Sequence, residues 1–366
     1  MNTQNGNSSE KKKGKVVVGM SGGVDSSVTA ALLVQQGYDV SGMMLKLWSE
    51  PGKENENKCC TLDSMAQAKH VASLLDIPFY SIDARRPFKK TVVDYFITAY
   101  LDGLTPNPCL LCNRSIRWGL MLEHALAIGA EYMATGHYAR TRTSPDGHIQ
   151  LLKAADKSKD QSYVLHVLNQ EQMKKTMFPL GGYSKQTVRK LARQFGLPVS
   201  ERPDSQDLCF LGNEPYKEFL LRNAPAAKNP GKIIDIDGNI LGEHQGLAFY
   251  TIGQRKGIGI ASAQALYVIE KRIEDNALIV GTAGELGRDE LIAANVNWIA
   301  GKPPAGSTRG QTKIRYRSAE IDSEFTPLPD GTVRVKFFRP LRDITPGQSA
   351  VFYQGDVCLG GGVILP

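Results

Sequence analysis

The chain has 366 residues, 42% hydrophobic and 22% charged, with a net charge of +7. That length suits two or three domains, and the balance excludes a disordered or fibrous chain. No run approaches the roughly 18 apolar residues that span a bilayer. The leading MNTQNGNSSEKKKGK has neither the apolar stretch of a secretory signal nor the arginines of a mitochondrial presequence. A solvated tail over 1–14, no membrane association and a cytoplasmic location are therefore expected. The positive charge is compatible with a nucleic-acid partner without demanding one.

KVVVGM at 15–20 predicts a buried strand. YDVSGMMLKLW at 38–48 and IPFYSID at 77–83 predict two more. Between them, Val28, Ala31, Leu32 and Gln35 share a helix face that Gly37 terminates, and 63–75, 88–101 and 114–128 repeat the helical spacing. EYMATGHYA at 131–139 continues the alternation. Strands alternating with helices of this length predict βαβ units and a parallel sheet. After SKQTVRKLARQFG and EPYKEFLLRN, two further helices, the signals from 231 onward are β. Asp237-Gly238 reads as a type I′ hairpin turn, and Asp275-Asn276 marks a second hairpin. VNWIA, TKIRYRS, TVRVKFF and SAVFYQGDVCLGGGVI then predict a small barrel or sandwich. The expected layout is an α/β parallel-sheet domain over 15–205, a small central connector over 206–280 and a C-terminal β-barrel over 281–366.

The first strand runs directly into Ser21-Gly22-Gly23-Val24-Asp25-Ser26-Ser27 and a helix. Glycines admit a tight turn and a close backbone approach, and free N–H groups at the helix start favour an anion. Asp25 has the wrong sign for a phosphate unless Mg²⁺ lies between them. No Gly-Lys-Ser/Thr follows, so this is not a Walker A loop. The plain alternative is a serine-rich turn. The loop resembles the SGGxDS PP-loop of ATP pyrophosphatases, which implies ATP cleaved between its α- and β-phosphates.

Six cysteines are too few for a disulfide scaffold. Cys109 and Cys112 lie in the proline-bearing LTPNPCLLCN ahead of a helix, where a thiol near the N-terminus should be acidified. Cys209 lies in the polar PDSQDLCF. Two reactive cysteines that far apart suggest a redox pair or a relay, although CxxC alone also suits structural thiols or half of a zinc site. Cys59, Cys60 and Cys358 read as structural. His137, after a strand end, faces the expected ligand edge of the sheet.

Taken together, GMSGGVDSSV, TPNPCLLCN, ATGHYAR, KDQSYVL, SQDLCF, GEHQGLAFYTIGQRKGIGI, KIRYRS and PGQSAVFYQGDVCLGGG resemble the tRNA-specific 2-thiouridylases of the MnmA type, over nearly the whole chain. The resemblance implies ATP-dependent 2-thiolation of the wobble uridine, position 34. ATP would be held by Gly19, Met20, Ser21, Gly22, Gly23, Val24, Asp25 and Ser26, with Leu45 and Gly136. Cys209 would carry a persulfide and Cys112 would be its partner thiol. Asn107, Pro108 and Cys109 would surround the target base. His137, Lys159, Asp160, Gln161, Arg315, Tyr316 and Gln348 would contact tRNA at its anticodon loop, and a cysteine desulfurase or relay protein would donate sulfur. Many members carry aspartate where Cys109 stands. If Cys109, Cys112 and Cys209 converge, three thiolates would also suit an iron–sulfur cluster with one open iron.

Residues 309–343 carry eight Lys/Arg against five Asp/Glu, and Tyr316, Phe337 and Phe338 lie among them, an expected base-stacking face. Two other readings keep part of this pattern. A PP-loop enzyme amidating or ligating a small molecule needs neither Cys112 nor Cys209. A non-catalytic RNA-binding protein switched by ATP releases no pyrophosphate.

Overall fold

A computed structural model describes residues 13–54, 61–203, 208–212 and 214–366. Cys59, Cys60, most of the expected 1–14 tail and positions 204–207 of the PDSQDLCF segment lie outside the described residues.

Val16, Val17 and Val18 are all fully buried, as a β-branched run in a strand covered on both faces should be. They form β1 (Lys15–Gly19), the centre of a five-stranded parallel sheet. β2 (Asp39–Lys46) and β3 (Phe79–Asp83) lie on one side of it, with β4 (Tyr132–Thr135) and later β7 (Thr176–Met177) on the other, in the order β3-β2-β1-β4-β7. The order in which strands are added reverses between β1 and β4, so a crevice opens at their carboxyl ends. Helix α1 (Val24–Gln35) leaves that crevice, and α2 (Leu62–Leu74) starts beside it, capped by the Thr61 hydroxyl. The helix over 108–127 is capped by Asn107 and has a π-helical middle, Cys112–Met121.

EYMATGHYA is not one strand. β4 stops at Thr135, and after Gly136-His137-Tyr138 the chain turns into β5 (Ala139–Thr143) and β6 (Ile149–Lys153). This hairpin leaves the first sheet and joins the last one.

The central unit pairs β8 (Gly231–Ile234) and β9 (Ile240–His244) with β10 (Tyr267–Arg272) and β11 (Ala277–Gly281). The Asp237-Gly238 turn is longer than the two-residue turn expected. The Asp235 carboxylate accepts from the N–H of Asp237 and of Asn239, closing a five-residue loop.

The third unit comprises β12 (Arg288–Trp298), β13 (Thr308–Lys313), β14 (Ile321–Pro327), β15 (Val333–Leu341), β16 (Ser349–Gln354) and β17 (Val357–Ile364). The order β12-β15-β14-β13-β16-β17 closes through β12–β17 into a six-stranded barrel. Closure removes exposed edges. β17 additionally pairs with β6, so the first domain is stitched to the barrel wall. Phe325 and Phe352 stack inside at 4.9 Å. Phe337 is 2% exposed in that core while Phe338 is 58% exposed, so only Phe338 of this pair remains open to a base. TKIRYRS is strand only to Lys313, and residues 314–318 form a turn.

Candidate functional site

Gly19, the last residue of β1, pairs with Met43 on β2 and Thr135 on β4. The chain then turns through 20–23 into α1, whose N-cap is Gly23 with no side-chain cap. The first-turn N–H groups are therefore not consumed by a capping side chain. The Ser26 and Ser27 hydroxyls donate back to the Gly23 carbonyl at 3.2 and 2.9 Å. Gly22 has φ +71°, and a Cβ there would lie 2.3 Å from the Ser64 carbonyl oxygen of α2. On the opposite side, a Cβ on Gly136 would lie 2.8 Å from the Ser26 backbone nitrogen. The loop is thus seated between two backbones that leave no room for larger residues.

The crevice beyond it encloses about 190 Å³. Gly19, Met20, Ser21, Asp25, Ser26, Leu45 and Gly136 all line it. Gly23 and Val24 face the adjoining basin instead, and Gly22 is buried beneath the loop.

His137 also lines the crevice, but it is buried rather than turned to a tRNA surface. Because a guanidinium only donates, His137 Nε2 accepts from Arg117 at 3.0 Å, and Nδ1 therefore donates to the Thr135 hydroxyl at 2.8 Å. Burial, then the Arg117 charge, hold its pKa well below the ordinary histidine value. It is a neutral wall of the crevice.

Asp25 was expected beside Mg²⁺. Its Oδ1 accepts from Lys185 Nζ at 2.7 Å and from the Tyr138 hydroxyl at 2.7 Å, and its Oδ2 accepts from Lys185 at 2.8 Å. Both oxygens already serve an ammonium, so Asp25 does not fit as a direct ligand of Mg²⁺. The iron–sulfur expectation gains no support from the geometry either. Among the described residues, no three His, Cys, Asp or Glu side chains group as a metal-binding set. Cys109 is exposed, Cys209 is half-buried and Cys112 is 9% exposed within the core.

The adjoining basin is larger, about 670 Å³. Lys157, Lys159, Lys313 and Arg317 line it together with Arg117, Lys185 and Arg202, and Tyr316 lies among them. Asp160 and Gln161 line it too, but they shape the loop. Asp160 accepts from the N–H of Ala154 and Ser162, and Gln161 Oε1 accepts from the Tyr138 N–H. Arg315 points inward, donating to the Ile252 carbonyl and the Thr345 hydroxyl. Gln348 Nε2 donates to the Thr105 carbonyl at 2.7 Å. Arg315 and Gln348 thus hold elements together rather than facing an RNA. Sequence reading missed Arg117, Lys157, Lys185, Arg202, Lys313 and Arg317. Lys313 and Arg317 were within reach, two residues to either side of Arg315 in KIRYRS. The others stand in no motif, and only the fold collects them.

The Asn107 side chain accepts from the Cys109 N–H, and Pro108 fills the first helical position. Cys109, not Cys112, therefore lies in the first turn of the 108–127 helix. Cys112 is one turn deeper, inside the first core. Cys209 packs against that same core beside Phe210, which contacts Phe88 and Phe96. Burial, then the charges of Asp160 and Cys109, raise the Tyr316 pKa, which places the barrel turn within electrostatic reach of Cys109.

A glycine loop at the switch point of a parallel sheet, opening onto a cationic basin walled in part by a turn of the β-barrel, defines a PP-loop nucleotide-binding domain joined to a cationic surface. Three family profiles match in succession: a tRNA methyl transferase HUP domain over 14–213, a tRNA methyl transferase PRC-barrel domain over 217–282 and an aminomethyltransferase β-barrel domain over 288–364. The tRNA-specific 2-thiouridylase MnmA 1 of Caldanaerobacter subterraneus subsp. tengcongensis is 47% identical over 96% of this chain and 97% of its own length. The MnmA of Desulfitobacterium hafniense is 44% identical over 97% of this chain and 99% of its own. That of Moorella thermoacetica is 45% identical over 95% and 98%. The chain belongs to the tRNA-specific 2-thiouridylases, sulfurtransferases that thiolate tRNA uridine. No helix among the described residues is long and apolar enough to cross a membrane.

Proposed function

We propose that the protein thiolates C2 of the wobble uridine, position 34, through an adenylated intermediate and a protein persulfide. ATP lies in the crevice, its adenine near Leu45 and its phosphates at the α1 N-terminus. The uracil O2 attacks the α-phosphorus and the bond to pyrophosphate breaks, which converts a poor leaving group into AMP. The terminal sulfur of a Cys209 persulfide, loaded by a cysteine desulfurase or relay protein, attacks C2 as AMP departs. The Cys112 thiolate then attacks the inner sulfur of Cys209. A Cys112–Cys209 disulfide forms, the S–S bond to the transferred sulfur breaks, and that sulfur stays on C2. A thiol reductant resets the pair. Asn107, Pro108 and Cys109 frame the flipped base, and Lys157, Lys159, Lys313 and Arg317 hold the anticodon-loop phosphates.

The observation carrying this reading is the basin itself, where the start of α1 and the Lys313–Arg317 turn line one cavity. The test supplies ATP, a persulfide donor and unmodified tRNA. AMP, pyrophosphate and 2-thiouridine at position 34 are the expected products, read by mass spectrometry. Cys209→Ser should still form AMP but no thiouridine, and Cys112→Ser should lose turnover. Release of ADP and orthophosphate, or normal thiolation by either variant, contradicts the reading.

A further inference from the structure

Lys185 opens the helix Lys185–Gln194, where Ser184 is the N-cap. Its backbone N–H donates to Asp156 Oδ2 at 3.0 Å. The helix packs on α1, burying Val188 and Ala192 in the same core as Val28 and Ala31. The base of the side chain is therefore fixed relative to the glycine loop. The ammonium crosses to the start of α1 and reaches both oxygens of Asp25, at 2.7 and 2.8 Å. Lys185 is only 9% exposed, and lysine is seldom buried so far without a paired charge. It lines the basin beside Ser21, Gly23 and Val24, at the start of a helix that no side chain caps, where first-turn N–H groups favour an anion.

We propose that Lys185 is the cation that meets the departing pyrophosphate, and that Asp25 is the positioning residue that holds it there rather than a metal ligand. The proposal rests on the adenylation reading. Asp25 balances the ammonium while the crevice lacks nucleotide. A polyphosphate carries more negative charge than one carboxylate, so it competes for the same donors when it enters. Charge developing on the β-phosphate is then met by an ammonium whose position is already set. Any magnesium requirement becomes a property of the nucleotide, not of Asp25.

The experiment titrates the full chain with inorganic pyrophosphate by calorimetry, with EDTA present. Lys185→Met should weaken binding by about tenfold or more, the worth of one charge-assisted hydrogen bond. Lys185→Arg should recover most of that loss, and melting curves of both variants identify any loss of fold. In tRNA-dependent AMP formation, Asp25→Asn should lower kcat while the Mg²⁺ half-saturation stays within about twofold of wild type, since a lost metal ligand shifts that constant further. A folded Lys185→Met that binds pyrophosphate like wild type overturns the proposal. So does wild-type protein that binds none, or a rise of about tenfold in Mg²⁺ half-saturation for Asp25→Asn. Failure of wild type to make AMP and pyrophosphate would instead sink the adenylation reading, and the calorimetric arm would still decide the role of Lys185.

Discussion

Arg315 and Arg317 stand two residues apart and face opposite ways. The Arg315 guanidinium is spent on the Ile252 carbonyl and the Thr345 hydroxyl, whereas Arg317 is exposed at the basin. Arg317→Ala should weaken tRNA binding and reduce the slope of log affinity against log salt by roughly one. Arg315→Ala should lower the melting temperature and leave that slope alone, and filter binding across a salt series separates the two. Buried His166 carries a different signature. Burial lowers its pKa from 6.5 to about 4. The unfolded chain therefore binds a proton below its ordinary value that the folded chain refuses, so stability is full above that value and is lost as pH falls toward 4. The loss is about 3 kcal/mol at most. Urea midpoints should drop between about pH 6.5 and 4, and His166→Gln should flatten the drop.

At the level of single elements, the glycine loop is set by the chain packed around it. Gly22 adopts a left-handed conformation against the α2 backbone, and the Arg202 guanidinium reaches the Ser64 hydroxyl and the Gly22 carbonyl from the segment leading to Cys209. Gly22→Ala should cost about 2 kcal/mol or more, from positive φ plus displacement of α2. ATP affinity should fall with it, as read by thermal melting with and without nucleotide. The pattern of β15 is a case where element-level reading sufficed. Alternate burial from Val333 to Phe337 follows strand period and puts Phe337 inward and Phe338 outward.

Across the whole molecule, the barrel positions the thiol-bearing loop. The Thr105 N–H donates to the Pro346 carbonyl, and Gln348 donates to the Thr105 carbonyl, so the 345–348 turn grips the chain just before Asn107. Gln348→Ala should lower kcat for thiolation several-fold while tRNA affinity changes little, because the lost bond orients the loop and does not touch RNA. Equal losses in affinity and kcat would make Gln348 an RNA contact after all. Lys153 reinforces the same junction, donating from β6 to Glu320 and to the Gly355 carbonyl.

The Val16–Val18 run, the glycine loop behind it and the alternating helices suffice to specify a parallel-sheet nucleotide domain, because burial on both faces and an uncapped helix start are local properties of the chain. The cysteine loops, and a β-rich C-terminal half, were legible for the same reason. Contacts made by residues far apart in the chain were not. Lys185 and Asp25 are separated by 160 positions, and Gln348 and Thr105 by 243. Nothing local distinguishes a lysine that faces solvent from one that crosses to a carboxylate on another helix. The tertiary structure alone decided that Asp25 is paired with an ammonium, that His137 is a buried neutral wall, and that Arg315 and Gln348 bind the protein to itself. In each case the side chain's partner is supplied by packing between distant segments.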